Sequence, residues 1–351
     1  MSPLNLFKAS YYKYILHFKK SSGTSRGVLT TKETWFIVIE GYGKKGIGEC
    51  GLLRGLSIDD RPDYVEKLRW ACENINLGLE VLMKELIETP SIQFGLEQAF
   101  LSLEQSAPFH LFPSRFTEAK DTIHINGLIW MGDKAYMKAQ IKDKIKQGFQ
   151  CIKMKIGAID FDVEFELLKS IRKEFKSTDL ELRVDANGAF LASEALEKLR
   201  VLSSLDIHSI EQPVKQGQIQ EMARLCEQTP LPIALDEELI GVYKLKDKKE
   251  LLNVIRPQFI ILKPSLIGGF KGSKEWIEIA QKYTIGWWIT SALESNVGLN
   301  AIAQWTYTLQ NNMPQGLGTG SLFTNNFDSP LEVNNGCLHH NNSKKWNFSV
   351  S

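Results

Sequence analysis

The sequence lacks the features of a membrane or secreted protein. No apolar stretch approaches the roughly 18 residues that a membrane-spanning helix needs. The first residues, MSPLNLFKAS, have neither the basic start nor the apolar core of a signal peptide. The five cysteines are scattered and include no C-x-x-C pair, which argues against a disulfide framework or a zinc site. They stand at positions 50, 72, 151, 226 and 337. We therefore expect a cytoplasmic protein with reduced thiols.

The chain also lacks an excess of either charge. Its 42 Lys and Arg residues nearly balance 41 Asp and Glu residues. The bulk electrostatics therefore favour neither nucleic acid nor an anionic membrane as a partner. The 351 residues are 43% hydrophobic, which is enough for one large domain or two ordinary ones. The sequence leaves the oligomeric state open.

From about residue 122, short apolar or β-branched runs alternate with longer amphipathic ones. The runs with strand character are TIHINGLI (122–129), CIKMKIG (151–157), ELRVDANG (181–188), IHSIEQPV (207–214), LPIALDE (231–237), FIILKPS (259–265), GWWITSALE (286–294) and the shorter GLGTG (316–320). Helical patterns such as FDVEFELLKSIRKEF separate them. Parallel strands joined by right-handed helical crossovers close into a (β/α)8-type barrel when eight units are present. An open, doubly wound sheet is the structural alternative.

The first 120 residues follow a different pattern. YYKYILHF and TWFIVIEGYGKKGIGEC indicate antiparallel strands, and helical stretches follow near 63–88 and 97–106. This predicts an α+β domain over residues 1–120 before a barrel over 121–320. The tail over 321–351 is rich in Asn and Ser, and we expect it to pack back on the first domain.

One glycine motif within this region matches the pattern of a dinucleotide-binding site. Gly41, Gly43 and Gly46 spell G-x-G-x-x-G after a predicted strand. A dinucleotide site requires a helix to follow, with its N-terminus directed at the pyrophosphate. Here another strand pattern follows, so the motif predicts a hairpin turn.

Ionisable side chains recur near the carboxyl ends of the predicted barrel strands, about 25 to 30 residues apart. They are Lys153 and Lys155 on the second strand, then Asp185, Glu211, Asp236 and Lys263 on the next four, with Ser291 on the seventh. Side chains alternate along a strand, so these residues can face the barrel axis while apolar neighbours face the helices. In barrels of this type the active site lies at that end.

Buried ion pairs that only support the barrel are the structural alternative. Burying a charge costs several kcal/mol unless the charge is well paired, and apolar replacements often serve as well. Three lysines and three carboxylates on adjacent strands would be an unusual device for stability alone. A functional site explains the pattern better.

Three carboxylates on consecutive strands provide the oxygen ligands that hard divalent cations prefer. They predict a Mg²⁺ site, with Mn²⁺ able to substitute. We expect burial and repulsion by the cation to lower the pKa of the neighbouring lysines, which would suit them to act as bases. The expected substrate is a small-molecule carboxylate. A lysine would remove the proton α to its carboxylate, and the metal would stabilise the resulting charge.

In their order and spacing, these motifs resemble those of the enolase superfamily, specifically its muconate-lactonizing-enzyme-like subgroup. Lys153-Met154-Lys155 matches the subgroup's K-x-K, and VDANG, IEQP and LDEE match its metal-binding Asp, Glu and Asp. LKPS matches a further lysine on the sixth strand. The resemblance covers nearly the whole chain. It implies a modified (β/α)7β barrel with an α+β capping domain, with Lys155 as the base and Lys153 as its electrostatic partner.

Three further stretches are similar to those of the o-succinylbenzoate synthases within this subgroup. They are GECGLLRGLS (48–57), TSALESNVGLNAIAQW (290–305) and GLGTGSLF (316–323). The similarity implies Mg²⁺-dependent syn dehydration of 2-succinyl-6-hydroxy-2,4-cyclohexadiene-1-carboxylate, a step of menaquinone biosynthesis. Lys155 would take the α-proton and return it to the departing hydroxyl. Lys263, on the opposite side, would stabilise the enediolate.

Candidate substrate contacts are Ser291, Glu294 and Asn187. Arg26, in the SSGTSRG loop, either helps to close the site or is a solvated loop residue. An N-succinylamino acid racemase or dipeptide epimerase of the same fold is the nearest alternative function, although the Asp-x-Asp typical of dipeptide epimerases is absent from the eighth strand segment. A non-catalytic ligand-binding barrel is the alternative from another class.

Overall fold

A computed structural model describes residues 6–24 and 27–350 of the chain. It begins with an antiparallel sheet of three strands, followed by three helices. These elements are β1 (Lys8–Thr24), β2 (Gly27–Gly41), β3 (Lys44–Cys50), α1 (Tyr64–Glu73), α2 (Leu79–Glu85) and α3 (Pro90–Glu104). The predicted helical stretch at 63–88 is thus two helices, because Gly78 interrupts it with a φ of 80°.

The glycine motif forms a hairpin turn, as predicted. Tyr42 and Gly43 connect β2 to β3 with φ values of 54° and 72°. Positive φ at both central residues is typical of the two-residue turns that match strand twist. Gly48 has a second role, because a Cβ there would lie 1.9 Å from the carbonyl oxygen of Gly95. A side chain at position 48 would therefore separate α3 from the sheet.

The next part of the chain alternates strands and helices. Its strands are β4 (Ile123–His124), β5 (Gly127–Ile129), β6 (Cys151–Lys155), β7 (Glu181–Asp185), β8 (Ser209–Glu211), β9 (Ile233–Leu235), β10 (Phe259–Leu262) and β11 (Gly286–Ile289). Its helices are α4 (Lys134–Lys146), α5 (Phe161–Glu174), α6 (Ala192–Ser203), α7 (Ile219–Gln228), α8 (Leu245–Ile255), α9 (Pro264–Ile267), α10 (Gly269–Lys282) and α11 (Asn296–Thr308). Strands β5 to β11 form one parallel sheet in chain order, which confirms the predicted α/β barrel class.

The predicted eighth strand segment closes this sheet without forming a regular strand. Gln315 bridges to Ile125 before β5, and Gly316 bridges to Thr290 after β11. The ring of seven strands is therefore completed by two residues that pair with both of its edges. The predicted strand at 316–320 does not extend further. Its three glycines lack the side chains that favour a strand.

The tail forms a hairpin that the sequence patterns do not indicate. Its strands are β12 (Leu331–Asn334) and β13 (Cys337–His340), and β13 pairs with β4. Farther along the chain, the ring of Phe348 lies 5.3 Å from that of Phe36 on β2. The tail thus contacts the first sheet, while the domain limits given above remain a prediction.

None of the helices within residues 6–24 and 27–350 is both long and apolar enough to cross a bilayer. All five cysteines are free, as predicted, and four of them are buried.

Candidate active site

The predicted charged residues meet at the carboxyl end of the barrel. Lys153 and Lys155 lie on β6 and face the barrel axis, while Ile152 and Met154 are fully buried on the opposite strand face. Asp185 ends β7, in register with Lys155. Two further carboxylates and a lysine complete the group, namely Glu211 at the end of β8, Asp236 after β9 and Lys263 after β10. Lys263 retains some exposure and the other five are buried.

Ion pairs connect the three lysines to the three carboxylates. Lys155 Nζ donates to Asp185 Oδ2 at 2.9 Å, and Lys153 Nζ donates to the same oxygen at 3.1 Å. Lys153 also donates to Glu211. These bonds tie the two lysines of β6 to the next two strands along the sheet, β7 and β8.

Lys263 approaches the carboxylates from the other side. It donates to Asp236, and its Nζ lies 3.7 Å from Glu211 Oε1. It follows β10, which is four strands away from β6 in the sheet. In a ring closed by an eighth segment, Lys155 and Lys263 therefore face each other across the axis.

The charges of the carboxylates decide the direction of the pKa shift of two of the lysines. Burial disfavours the ammonium form of Lys153, but the charges of Asp185 and Glu211 outweigh burial and raise its pKa above the ordinary value. The pKa of Lys263 is raised in the same way, with Asp236 as the largest opposing charge. The sequence predicts that lysines and carboxylates lie close together. It does not give the distances between them, and these distances decide whether burial or the opposite charges dominate the pKa.

The carboxylates present a site that fits a divalent cation. Burial raises the pKa of Asp236 well above its ordinary value, and the charges of Glu237 and Glu211 add to the effect although Lys263 opposes it. Glu211 Oε1 is buried and accepts no hydrogen bond from the described residues. Carboxylate oxygens are the ligands that Mg²⁺ prefers. In the described ranges, however, no three acidic, His or Cys side chains converge as ready ligands, since lysines occupy the carboxylates.

Two residues beside the carboxylates have a left-handed backbone, which is uncommon outside glycine and often marks functional sites. Asn187 has a φ of 44°, accepts from Lys155 Nζ at 2.6 Å and donates to Glu237 at 3.0 Å. Gln212 has a φ of 39° and accepts from the backbone N–H of Asp236 at 3.3 Å. The predicted substrate contact Asn187 is thus already bonded to the predicted base. Gln212 was missed, although it lies inside the quoted IEQP motif.

A cavity of about 560 Å³ opens above the charged group. Lys153, Lys155, Lys263, Asp185 and Asn187 line its polar end. Its apolar wall is formed by Leu29, Leu53, Leu56, Leu128, Trp130, Leu293 and Leu322, from the first domain, the barrel and the tail. One end of the cavity is therefore charged, and the rest is an apolar chamber that the first domain covers.

The predicted substrate contacts have different outcomes. Ser291 lines the cavity, and its Oγ lies 2.6 Å from Thr319 Oγ1, a residue that the sequence reasoning did not single out. Glu294 does not line it, because its carboxylate is fully buried against Ser265 Oγ at 2.5 Å and the backbone N–H of Ala292 at 2.7 Å. Arg26 lies outside the described residues.

A family model described as "Enolase C-terminal domain-like" matches residues 136–343, more than half of the chain. The chain belongs to this enolase family. The o-succinylbenzoate synthase of Desulfotalea psychrophila is 45% identical to it, over 94% of this chain and 98% of the relative. The predicted membership of the enolase superfamily is therefore confirmed.

Solved structures of the family agree with this fold. The crystal structure of MenC from Desulfotalea psychrophila has a TM-score of 0.85 at 43% identity, and the alignment covers 95% of this chain and 99% of that one. The muconate lactonizing enzyme of Pseudomonas fluorescens has a TM-score of 0.83 at 21% identity, with coverage of 97% and 96%. The latter likeness supports the fold alone.

Proposed function

We propose that this enolase-family chain catalyses the syn dehydration of 2-succinyl-6-hydroxy-2,4-cyclohexadiene-1-carboxylate to o-succinylbenzoate, as a lyase of menaquinone biosynthesis. The observation that carries the proposal is the 45% identity to an o-succinylbenzoate synthase, which extends over nearly the full length of both chains. The similarity thus includes the first domain, whose residues cover the cavity.

Lys155 acts as the base in this proposal. Its ammonium group borders the cavity and is held between Asp185 and Asn187, which fixes the direction from which it meets a substrate. In the neutral form it removes the proton α to the substrate carboxylate, and it then delivers that proton to the leaving hydroxyl on the same face. One base on one face accounts for a syn elimination.

Lys263 has an electrostatic role. It faces Lys155 across the barrel axis, and its raised pKa keeps it in the ammonium form. A fixed positive charge beside the carboxylate of the substrate stabilises the negative charge that develops when the α-proton leaves. Because one lysine takes the proton and the other remains charged, the reaction needs no exchange of roles between them.

Asp185, Glu211 and Asp236 would hold the divalent cation, which we propose to be Mg²⁺ with Mn²⁺ as a substitute. When bound, the cation supplies Lewis-acid stabilisation of the substrate carboxylate. The buried Glu211 oxygen that accepts no hydrogen bond and the raised pKa of Asp236 support this assignment. Enzymes of the enolase superfamily generally use Mg²⁺.

The cavity suits a carboxylate substrate with a carbon ring. Its charged end takes the ring carboxylate, and its apolar wall accommodates the ring and the methylene groups of the succinyl chain. We also place the enzyme in the cytoplasm, where its five free thiols would remain reduced.

A racemase or epimerase of the same fold is the competing function, because lysines on both sides of the axis could exchange protons from both faces. The test compares kcat/KM for dehydration of the cyclohexadiene with kcat/KM for racemisation of N-succinylamino acids. We expect dehydration to be faster. Racemisation at equal or greater efficiency would reject the proposal. If the protein catalyses neither dehydration nor racemisation, the result would favour a non-catalytic barrel.

A further inference from the structure

The backbone that follows β6 donates several hydrogen bonds to one buried carboxylate. Glu164, on α5, is 2% exposed, and its two carboxylate oxygens accept from the N–H of Gly157 at 2.8 and 2.9 Å. Its Oε1 also accepts from Ala158 at 3.3 Å and from Ile159 at 3.4 Å. Three consecutive N–H groups thus converge on one anionic side chain, in an arrangement that otherwise binds free anions.

This carboxylate is not needed to cap its own helix. The side chain of Asp160 already accepts from the N–H groups of Asp162 at 3.0 Å and Val163 at 3.3 Å at the start of α5. Glu164 instead reaches back to the loop that precedes the helix. Burial of a carboxylate is unfavourable unless hydrogen bonds compensate for it, so the loop must be held in place for the arrangement to persist.

The loop that Glu164 holds is joined directly to the predicted base. Gly157 lies two residues after Lys155, and the intervening Ile156 donates to the carbonyl of Asp185 at 2.8 Å. A Cβ at Gly157 would lie 2.5 Å from the Cβ of Ala189, in the turn that follows β7 and carries Asn187. The loop therefore packs on the same turn whose Asn187 accepts from Lys155.

We propose that Glu164 is a positioning residue for Lys155. By fixing the N–H groups of residues 157–159, its carboxylate sets where β6 ends and where Lys155 Nζ stands relative to Asp185 and Asn187. This inference rests on the proposed role of Lys155 as the base. Displacement of a catalytic group by about 1 Å lowers rates on the order of a hundredfold, so a modest change in the loop is sufficient.

The test measures the loop and the reaction separately. Hydrogen exchange of the 156–160 backbone, followed by mass spectrometry, is compared in the parent, Glu164→Ala and the control Glu166→Gln. Glu166 lies on the same helix with a side chain that is 55% exposed, so its substitution removes a charge without reaching the loop. We expect exchange to quicken only in Glu164→Ala.

The kinetic part uses the same proteins. Glu164→Ala should lower kcat on the order of tenfold to a hundredfold, with KM and the number of Mg²⁺ sites per chain little changed. Glu164→Gln keeps the shape and one acceptor oxygen, so it should retain an intermediate kcat. It also replaces the alanine variant if that variant does not fold.

Three results would overturn the inference: a loop that stays protected, a loop that opens without loss of kcat, or a loss of activity that follows only the loss of Mg²⁺ sites. A parent enzyme that turns over no substrate would instead count against the proposed function, and the exchange data would still report whether Glu164 holds the loop.

Discussion

Lys155 and Asp185 are register partners on adjacent strands, and Lys155 Nζ lies 2.9 Å from Asp185 Oδ2. Burial opposes ionisation of Asp185, but the charges of Lys153 and Lys155 outweigh burial and hold its pKa well below the usual range. These charges therefore favour the ionised form of the carboxylate. The predicted base and a predicted metal ligand are thus fixed side by side before substrate arrives.

The first prediction concerns the metal. Asp236→Asn should weaken Mg²⁺ binding at least tenfold and lower activity with it, because a neutral amide is a poorer ligand than a carboxylate. Calorimetry with Mg²⁺ measures the affinity. Asp162→Asn, at an exposed position on α5, is the matched control and should bind Mg²⁺ like the parent. Unaltered affinity in Asp236→Asn, and likewise in Asp185→Asn and Glu211→Gln, would make the three carboxylates structural.

The second prediction separates the two lysines. Lys155→Met and Lys263→Met should each reduce dehydration on the order of a hundredfold or more, since one removes the base and the other an electrostatic donor. Only Lys155→Met should abolish exchange with deuterated water of the α-proton of a carboxylate that retains one, such as an N-succinylamino acid. The exposed Lys169→Met serves as the control. Loss of exchange in both active-site variants to the same extent would indicate two bases and favour the racemase mechanism.

The third prediction concerns Ser291 and its partner. The two hydroxyls of Ser291 and Thr319 lie 2.6 Å apart on the cavity wall, where a substrate oxygen could accept from one of them. Ser291→Ala should raise KM several-fold and leave Mg²⁺ affinity unchanged, because the loss of one neutral hydrogen bond is worth about 1 kcal/mol. Steady-state kinetics and calorimetry measure the two quantities. A fall in kcat with constant KM would assign Ser291 a role in the chemical step instead.

The fourth prediction concerns stability and pH. Burial raises the pKa of Glu97 from 4.5 to about 7, although the backbone N–H groups of Lys271 and Phe270 oppose the shift. The folded state therefore binds this proton more tightly than the unfolded state. Its contribution to the free energy of unfolding is fully present below pH 4.5 and is lost as the pH rises through 7, by up to about 3 kcal/mol.

Urea unfolding at several pH values measures this contribution. Glu97→Gln should show a smaller decline in the free energy of unfolding between pH 4.5 and 7 than the parent. Glu104→Gln, at an exposed position on the same helix, should decline like the parent. Parallel curves for the parent and Glu97→Gln would show that Glu97 does not titrate in this range.

The sequence was sufficient to predict seven of the barrel strands and the charged group at their ends. Both follow from local patterns, because alternation along a strand and one charged residue per βα unit are visible in the order of residues. Contacts between distant segments were not visible. Glu294 is buried because the first domain covers it, with Glu49 accepting from the neighbouring Ser295 backbone at 2.9 Å. The lysine pKa values likewise depend on distances that only the folded chain fixes.

The proton-removing role of Lys155 and the proposed metal requirement can be tested in one spectroscopic assay. The purified protein is treated with a chelator and supplied with 2-succinyl-6-hydroxy-2,4-cyclohexadiene-1-carboxylate, with and without added Mg²⁺, in parallel with Lys155→Met. We predict formation of o-succinylbenzoate by the parent only when Mg²⁺ is present, and none above background by the variant. Turnover that persists without a divalent cation, or in Lys155→Met, would contradict the account.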